Sequence, residues 1–386
     1  MSGVPAPAPS GAARPWRHVP ARCAAALFCS VATSLAAAPL DALLGAGNLA
    51  SGTHAWQLEA GRDLANQRVD LFDLRGSAAS GQTGNYEGNQ LGLRWSSERW
   101  QVDARAWRRK LHERVDTHVV HSWRLGAQTR LAGPVSLRVS GWGNQASTLS
   151  RSTGTRLQVE GLNAALNHFA VHRPRDRQLQ VDVIGHWPAP GRNLPGGAAG
   201  SAVSWLPQPR ISAFAGLGSS RVSQSGIAAQ ALVGTCPYQL EFGATELVAR
   251  PADSCTNALT IRVPNALLPF DALNETRYTA RMWHAGAAVS LPMDAWTASL
   301  GVDYQRLRRE VVDDIVRTRG GQVFDSNHVL IAELAWRHAS GVGLLLRGQY
   351  MRHQFVGEIP FVYNPLTASK FAHQYGFFTL AMNADF

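Results

Sequence analysis

Three sets of side chains in this 386-residue sequence could do chemistry. The first is a series of polar residues at every second position, weighted to arginine: Arg94, Gln101, Asp103, Arg105, Arg109, Arg124, Gln128, Arg130, Arg138, Asp182, Asp303, Arg337, Arg347 and Gln349. Guanidinium groups lining an enclosed aqueous passage would give it positive potential and favour anions. Mixed charges could equally pair with one another and seal the passage. The second set is Cys236 and Cys255, which could close a ring of about 20 residues worth roughly 3 kcal/mol in the chain-entropy model. The third is His338–Ala339–Ser340, whose spacing sets a base beside a nucleophile on one face of a strand. It falls on a short turn, and the neighbouring histidine and serine at His121–Ser122 point to opposite faces. Enzymatic activity is therefore not expected. The histidines are scattered, no CxxC pair occurs, and GGAAG (196–200) lacks the strand, helix and lysine of a phosphate cradle, so neither a metal nor another cofactor is expected.

What positions these residues is alternation. Trp100, Val102, Ala104 and Ala106 share one side of an extended chain, with Gln101, Asp103 and Arg105 on the other. The same period of two runs through Leu91–Trp95, Trp123–Ala127, Val135–Val139, Leu179–Val183, Ile211–Leu217, Trp296–Tyr304, Leu330–Trp336 and Val342–Leu346. It continues to the last residue, where Phe378, Leu380, Met382, Ala384 and Phe386 lie on one side. A period of two denotes strands, and proline keeps out of their interiors as ladder pairing requires.

The connections alternate too. Short ones, SSER (96–99), AGP (132–134), RPRD (173–176), PQPR (207–210), PMD (292–294) and ASG (339–341), interleave with long polar ones near 76–87, 112–119, 147–154, 188–199, 220–276, 310–326 and 357–371. Short turns at one end and long loops at the other suit a transmembrane antiparallel up-and-down barrel. The hairpins give 14 strands, with 16 as the alternative, because HAWQLEAG (54–61) supplies a fifteenth segment and such barrels have even counts. Trp95, Trp100, Trp205, Trp296 and Trp336 flank the short turns. Tyr304 and Tyr350 sit far along their strands, about 20 Å higher at a strand tilt near 40°, close to the ~25 Å apolar band of such barrels.

Composition is consistent with this. The chain is 45% hydrophobic, yet no run approaches the roughly 18–20 unbroken apolar residues of a spanning helix. Arg14, Arg17 and Arg22 followed by AAALFCSVATSLAAA (24–38) read as an export leader, residues 1–36, with cleavage after Ala36 or Ala42. Residues 37–53 form a short lead and 54–386 the barrel, with its largest outer loop at 220–276. In an exported chain the two remaining cysteines point to a disulfide. YQLEFGATELV (238–248) alternates well enough to form a surface hairpin pinned by that bridge. The net charge is +10 but its arginines are spread singly along strands, so nucleic acid is not an expected partner.

A closing strand with alternating apolar residues and a final Phe resembles that of Gram-negative outer-membrane β-barrels. That resemblance implies recognition of Phe378, Leu380, Met382 and Phe386 by the barrel-assembly machinery, and outer-membrane lipid and lipopolysaccharide as surroundings. General porins are similar in length, leader and final Phe, but open on an SSVTLYG-like strand where this chain has THAWQLEAG. Within this class the expected function is a channel for small polar, anionic solutes, lined by Arg94, Asp103, Arg105, Arg109, Arg124, Arg138, Asp303 and Arg347. The alternative is a non-conducting barrel whose disulfide-bonded surface loop serves binding, adhesion or envelope assembly.

Overall fold

The computed structural model describes residues 44, 55–65, 85–112, 117–159, 162–188, 209–255, 258–268, 271–352, 361, 363, 365, 368 and 375–386. The expected export leader lies outside these residues, as does the expected lead apart from Leu44.

Twelve strands close into one antiparallel barrel. In chain order they are β1 (Ala55–Ala65), β2 (Asn85–Ser96), β3 (Trp100–His112), β4 (Thr117–Ala132), β5 (Val135–Ala146), β8 (Arg175–Pro188), β9 (Arg210–Ser223), β14 (Tyr278–Met293), β15 (Trp296–Arg309), β16 (Ser326–Arg337), β17 (Val342–Met351) and β18 (Tyr375–Asp385). The final strand pairs with the first, Leu64 opposite Phe378 through to Gln57 opposite Asp385, which removes both sheet edges. Tight turns at 96–99, 132–135, 293–296 and 337–342 gather at one end, as the spacing predicts.

Six further strands leave the barrel at its other end: β6 (Thr148–Val159), β7 (Leu162–His172), β10 (Gly226–Val233), β11 (Cys236–Phe242), β12 (Glu246–Pro251) and β13 (Ile261–Pro264). They form a separate sheet in the order β13-β12-β11-β10-β7-β6. Its apolar face gathers Leu166, Phe169, Ile227, Leu240, Phe242 and Leu247 into their own cluster, joined by Ala272 and Leu273 of the short helix α1 (Ala272–Glu275).

This corrects the count of 14 or 16 strands. Residues 155–172 alternate like barrel strands, but they pair with β6 and β10 instead of with β5 and β8, which pair directly with each other. The RPRD stretch is consequently no turn at the short end. Arg173 donates its backbone N–H to Ser147 where β7 hands over to β8 at the outer end. The strand expected at 201–206 lies outside the described residues. Loop 220–276 is largely folded: it holds β10 to β13 and the expected hairpin of β11 with β12, and a disulfide joins Cys236 to Cys255.

Candidate functional site

Inside and outside are inverted relative to a soluble barrel. Leu58, Leu91, Leu125, Leu179, Leu217, Leu300, Leu344 and Leu380 are exposed on the outer wall, Leu217 at 70%. The residues between them point inward; most at mid-depth are polar or charged, and Ile184, Phe214, Met282, Leu307, Ile331 and Phe377 form an apolar cluster among them. Trp56, Trp100, Trp187 and Trp296 ring the tight-turn end, and at the other end Trp283 meets Tyr304 at 5.3 Å. An apolar belt between aromatic girdles is what lipid requires of a barrel. No described helix is long and apolar enough to cross a membrane.

All eight predicted lumen residues, Arg94, Asp103, Arg105, Arg109, Arg124, Arg138, Asp303 and Arg347, face inward and are buried. They do not form an open arginine surface. Arg105 meets Glu59 at 2.9 Å, Arg138 meets Asp103 at 2.6 Å with Arg124 on the other carboxylate oxygen at 3.8 Å, and Arg347 donates through Nε and Nη2 to Glu333 at 2.9 and 2.6 Å. Asp303 lies 3.4 Å from His284 Nδ1, whose Nε2 is 2.7 Å from Asp182. Arg105, Arg109 and Arg124 surround the ring of Trp107 at 5.8, 5.2 and 5.9 Å.

Glycine makes these pairs possible. Gly92 on β2 lies between Glu59 on β1 and Arg105 on β3, and a Cβ there would stand 3.2 Å from Arg105 Nε. Gly216 on β9 lies between Asp182 on β8 and His284 on β14, and a Cβ would overlap both partners. Gly126 on β4 gives Arg138 the same clearance to reach Asp103. Each of these three pairs thus spans an intervening strand at a glycine, the one point where that strand puts no side chain in the way.

The expected arginine excess is not found over the whole interior. Among the described residues seven arginines and nine acids are buried, and all of them but Glu275 lie on barrel strands or at the barrel mouth. The acids overlooked in the sequence, Glu59, Asp63, Asp176 and Glu333, obey the same alternation; Glu333 falls between Ala332 and Leu334, already on the outward side. Charge is partly segregated, with Asp103 inside the arginine wall and Glu59 and Asp63 on β1 beside it. Arg94, Arg105, Arg109, Arg124 and Arg138 stand on β2 to β5, while Asp176, Asp182 and Asp303 stand on β8 and β15. A recess of about 260 Å³, counting its open mouth, lies among Gln57, Glu59, Arg94, Asp103, Arg105 and Arg124.

The outer mouth carries a different layer. Helix α2 (Val312–Thr318) turns inward after β15, burying Val312 and Val316 beside Phe324, Phe361, Tyr363 and Ala368. Arg309 lies 3.6 Å from the Tyr363 ring and its backbone N–H donates to Asp313 at 2.8 Å. Leu44 is helical and fully buried in the same cluster, so this residue of the lead lies against the barrel interior. His338 and Ser340 meet at 2.9 Å, but the Ser340 backbone N–H also donates to His338 Nδ1 at 3.2 Å, which makes the pair a turn contact at the tight-turn end. Among the described residues no cluster suits a metal ion.

No family model and no curated protein matches the chain. Among solved structures it is similar to the translocator domain of autotransporter NalP from Neisseria meningitidis, at 12% identity and TM-score 0.44, covering 90% of this chain and 93% of that one. It is similar also to the β domain of the Bordetella autotransporter BrkA, at 10% identity and TM-score 0.43 over 87% and 100% of the two chains. The monoaromatic hydrocarbon channel CymD aligns at 10% identity and TM-score 0.36 over 92% and 94%. The chain itself is a closed antiparallel β-barrel, apolar on its outer wall and charged within, the polarity of a barrel that spans lipid.

Proposed function

We propose that the protein sits in the outer membrane and passes small polar solutes through its lumen. The observation that carries this reading is the set of charged and amide side chains facing inward, which includes Glu59, Gln90, Arg94, Asp103, Arg105, Gln180 and Arg347, and which an apolar cluster only partly interrupts. A barrel built only as an anchor could fill its interior with apolar side chains at no desolvation cost. The ion pairs and the α2 layer then represent the shut state. Anions are the favoured cargo along the β2–β5 wall, where five guanidinium groups are answered nearby by Glu59, Asp63 and Asp103. A fixed positive wall selects by charge.

The test is the reversal potential across a planar bilayer under a salt gradient. The Arg105→Ser/Arg109→Ser variant should shift selectivity toward cations, and an unchanged potential would remove these arginines from the conduction path.

A second reading is supported by the six-stranded sheet, which has its own apolar cluster and its own disulfide outside the barrel. A folded unit of this size suits surface binding or envelope assembly, with the barrel as a sealed anchor. A folded barrel that carries no current would favour it.

A further inference from the structure

The barrel's outer wall carries an ordered set of charges that the lumen does not use. Arg177 on β8, Arg221 on β9, Arg281 on β14, and Arg306 and Arg308 on β15 all point outward and are exposed. Register sets Arg177 directly opposite Arg221 and Arg281 directly opposite Arg308. Thr279, the partner of Arg221, is two residues from Arg281, so the arginines make one continuous strip across four strands. Like charges directly opposite on a sheet face repel. Two carboxylates answer them: Glu310 reaches Arg281 at 3.3 Å and Asp325 reaches Arg306 at 3.4 Å. Among the described residues no ion pair reaches Arg177, Arg221 or Arg308. On the opposite wall the outward Arg62 is matched by Glu87 at 3.1 Å, and the outward Arg108 on β3 stands singly between Asn89 and His121, so no strip of arginines forms there among the described residues.

Height identifies what could neutralise the strip. The outward residues next below it are Leu179, Ser219 and Trp283, with Leu217 beneath Ser219, and Leu179, Leu217 and Trp283 are exposed apolar positions. Trp283 belongs to the upper aromatic girdle. From Trp296 at the tight-turn end to Arg308 is about 40 Å of strand, or roughly 30 Å of height at a tilt near 40°. That matches the ~30 Å hydrocarbon thickness, beyond which headgroups begin. Guanidinium forks bind phosphate oxygens two at a time.

We propose that this strip is a binding site for the phosphate groups of lipopolysaccharide in the outer leaflet, with Arg177, Arg221, Arg281 and Arg308 as its ligands. It rests on the transmembrane reading and is independent of whether the lumen conducts.

The experiment compares wild type with the Arg177→Gln/Arg221→Gln/Arg281→Gln/Arg308→Gln variant. Both are refolded into phosphatidylcholine vesicles, where heat-dependent gel mobility reports the folded barrel, and then into the same vesicles containing lipopolysaccharide. Wild type should gain unfolding temperature from lipopolysaccharide, and the variant should lose most of that gain. Lipid affinity should fall about fivefold per arginine removed. Lipopolysaccharide stripped of its phosphates should give wild type no gain, and inorganic phosphate alone should give none. An equal gain in the variant or with the stripped lipid, or full reproduction by inorganic phosphate, would overturn the site. Should the variant not refold, the stripped-lipid comparison on wild type decides alone. Failure of wild type to refold into phosphatidylcholine would count against the transmembrane reading itself.

Discussion

At the scale of single residues, the interior depends on glycines that carry no chemistry of their own. Gly216 leaves the gap through which His284 reaches Asp182 across β9, and an added methyl would occupy the position of the bond. Separating one partner of a buried charge pair typically costs about 3–5 kcal/mol. Gly216→Ala should therefore lower the unfolding free energy of the refolded barrel, read from urea titration, by an amount in that range. Gly226→Ala, where a Cβ meets nothing within 4 Å, should stay within about 0.5 kcal/mol of wild type. Equal midpoints for the two variants would remove the His284–Asp182 pair from the stability of the barrel. The inward set was readable from the sequence because alternation alone assigns a face, and all eight chosen residues point inward. The partners across a glycine were not readable. Glu59 and Arg105 are two strands apart, and only register brings them together.

At the scale of elements, alternation says that a segment is a strand but not which sheet it joins. Residues 162–172 read as well for a barrel wall as for β7. What takes them out of the barrel is the direct pairing of Val135–Gln145 with Arg175–Gly185, which leaves no place between β5 and β8. The hairpin at 238–248 was legible because its alternation and its flanking cysteines coincide. Its enlargement into a six-stranded sheet was not, since β6 and β7 come from a distant part of the chain. The disulfide ties the β10–β11 turn to the segment after β12 and touches no barrel strand. The Cys236→Ser/Cys255→Ser variant should keep the heat-dependent mobility of the folded barrel while proteases cut within residues 224–276. The local loss should be about 3 kcal/mol in the chain-entropy model. A barrel that no longer folds without the bridge would show that the surface sheet and the barrel are one cooperative unit.

At the scale of the whole molecule, two designs share one chain. One is a barrel whose wall faces lipid and whose interior faces water or its own counter-charges. The other is a surface sheet with a separate apolar cluster. Class and closing strand were legible because the lipid requirement is repeated on every strand down to Phe386. Whether the interior conducts was not, because an ion-paired lumen and a hydrated one put the same residue types at the same positions. The α2 layer and Tyr363 at the outer mouth sharpen that question, since they must yield for any solute to enter from outside. The most direct test is single-channel current of the refolded protein in a planar bilayer, with folding established beforehand by heat-dependent mobility. Discrete current steps that select for anions are the predicted result. A bilayer that stays silent with the folded barrel inserted would contradict the channel and leave the surface sheet as the working part.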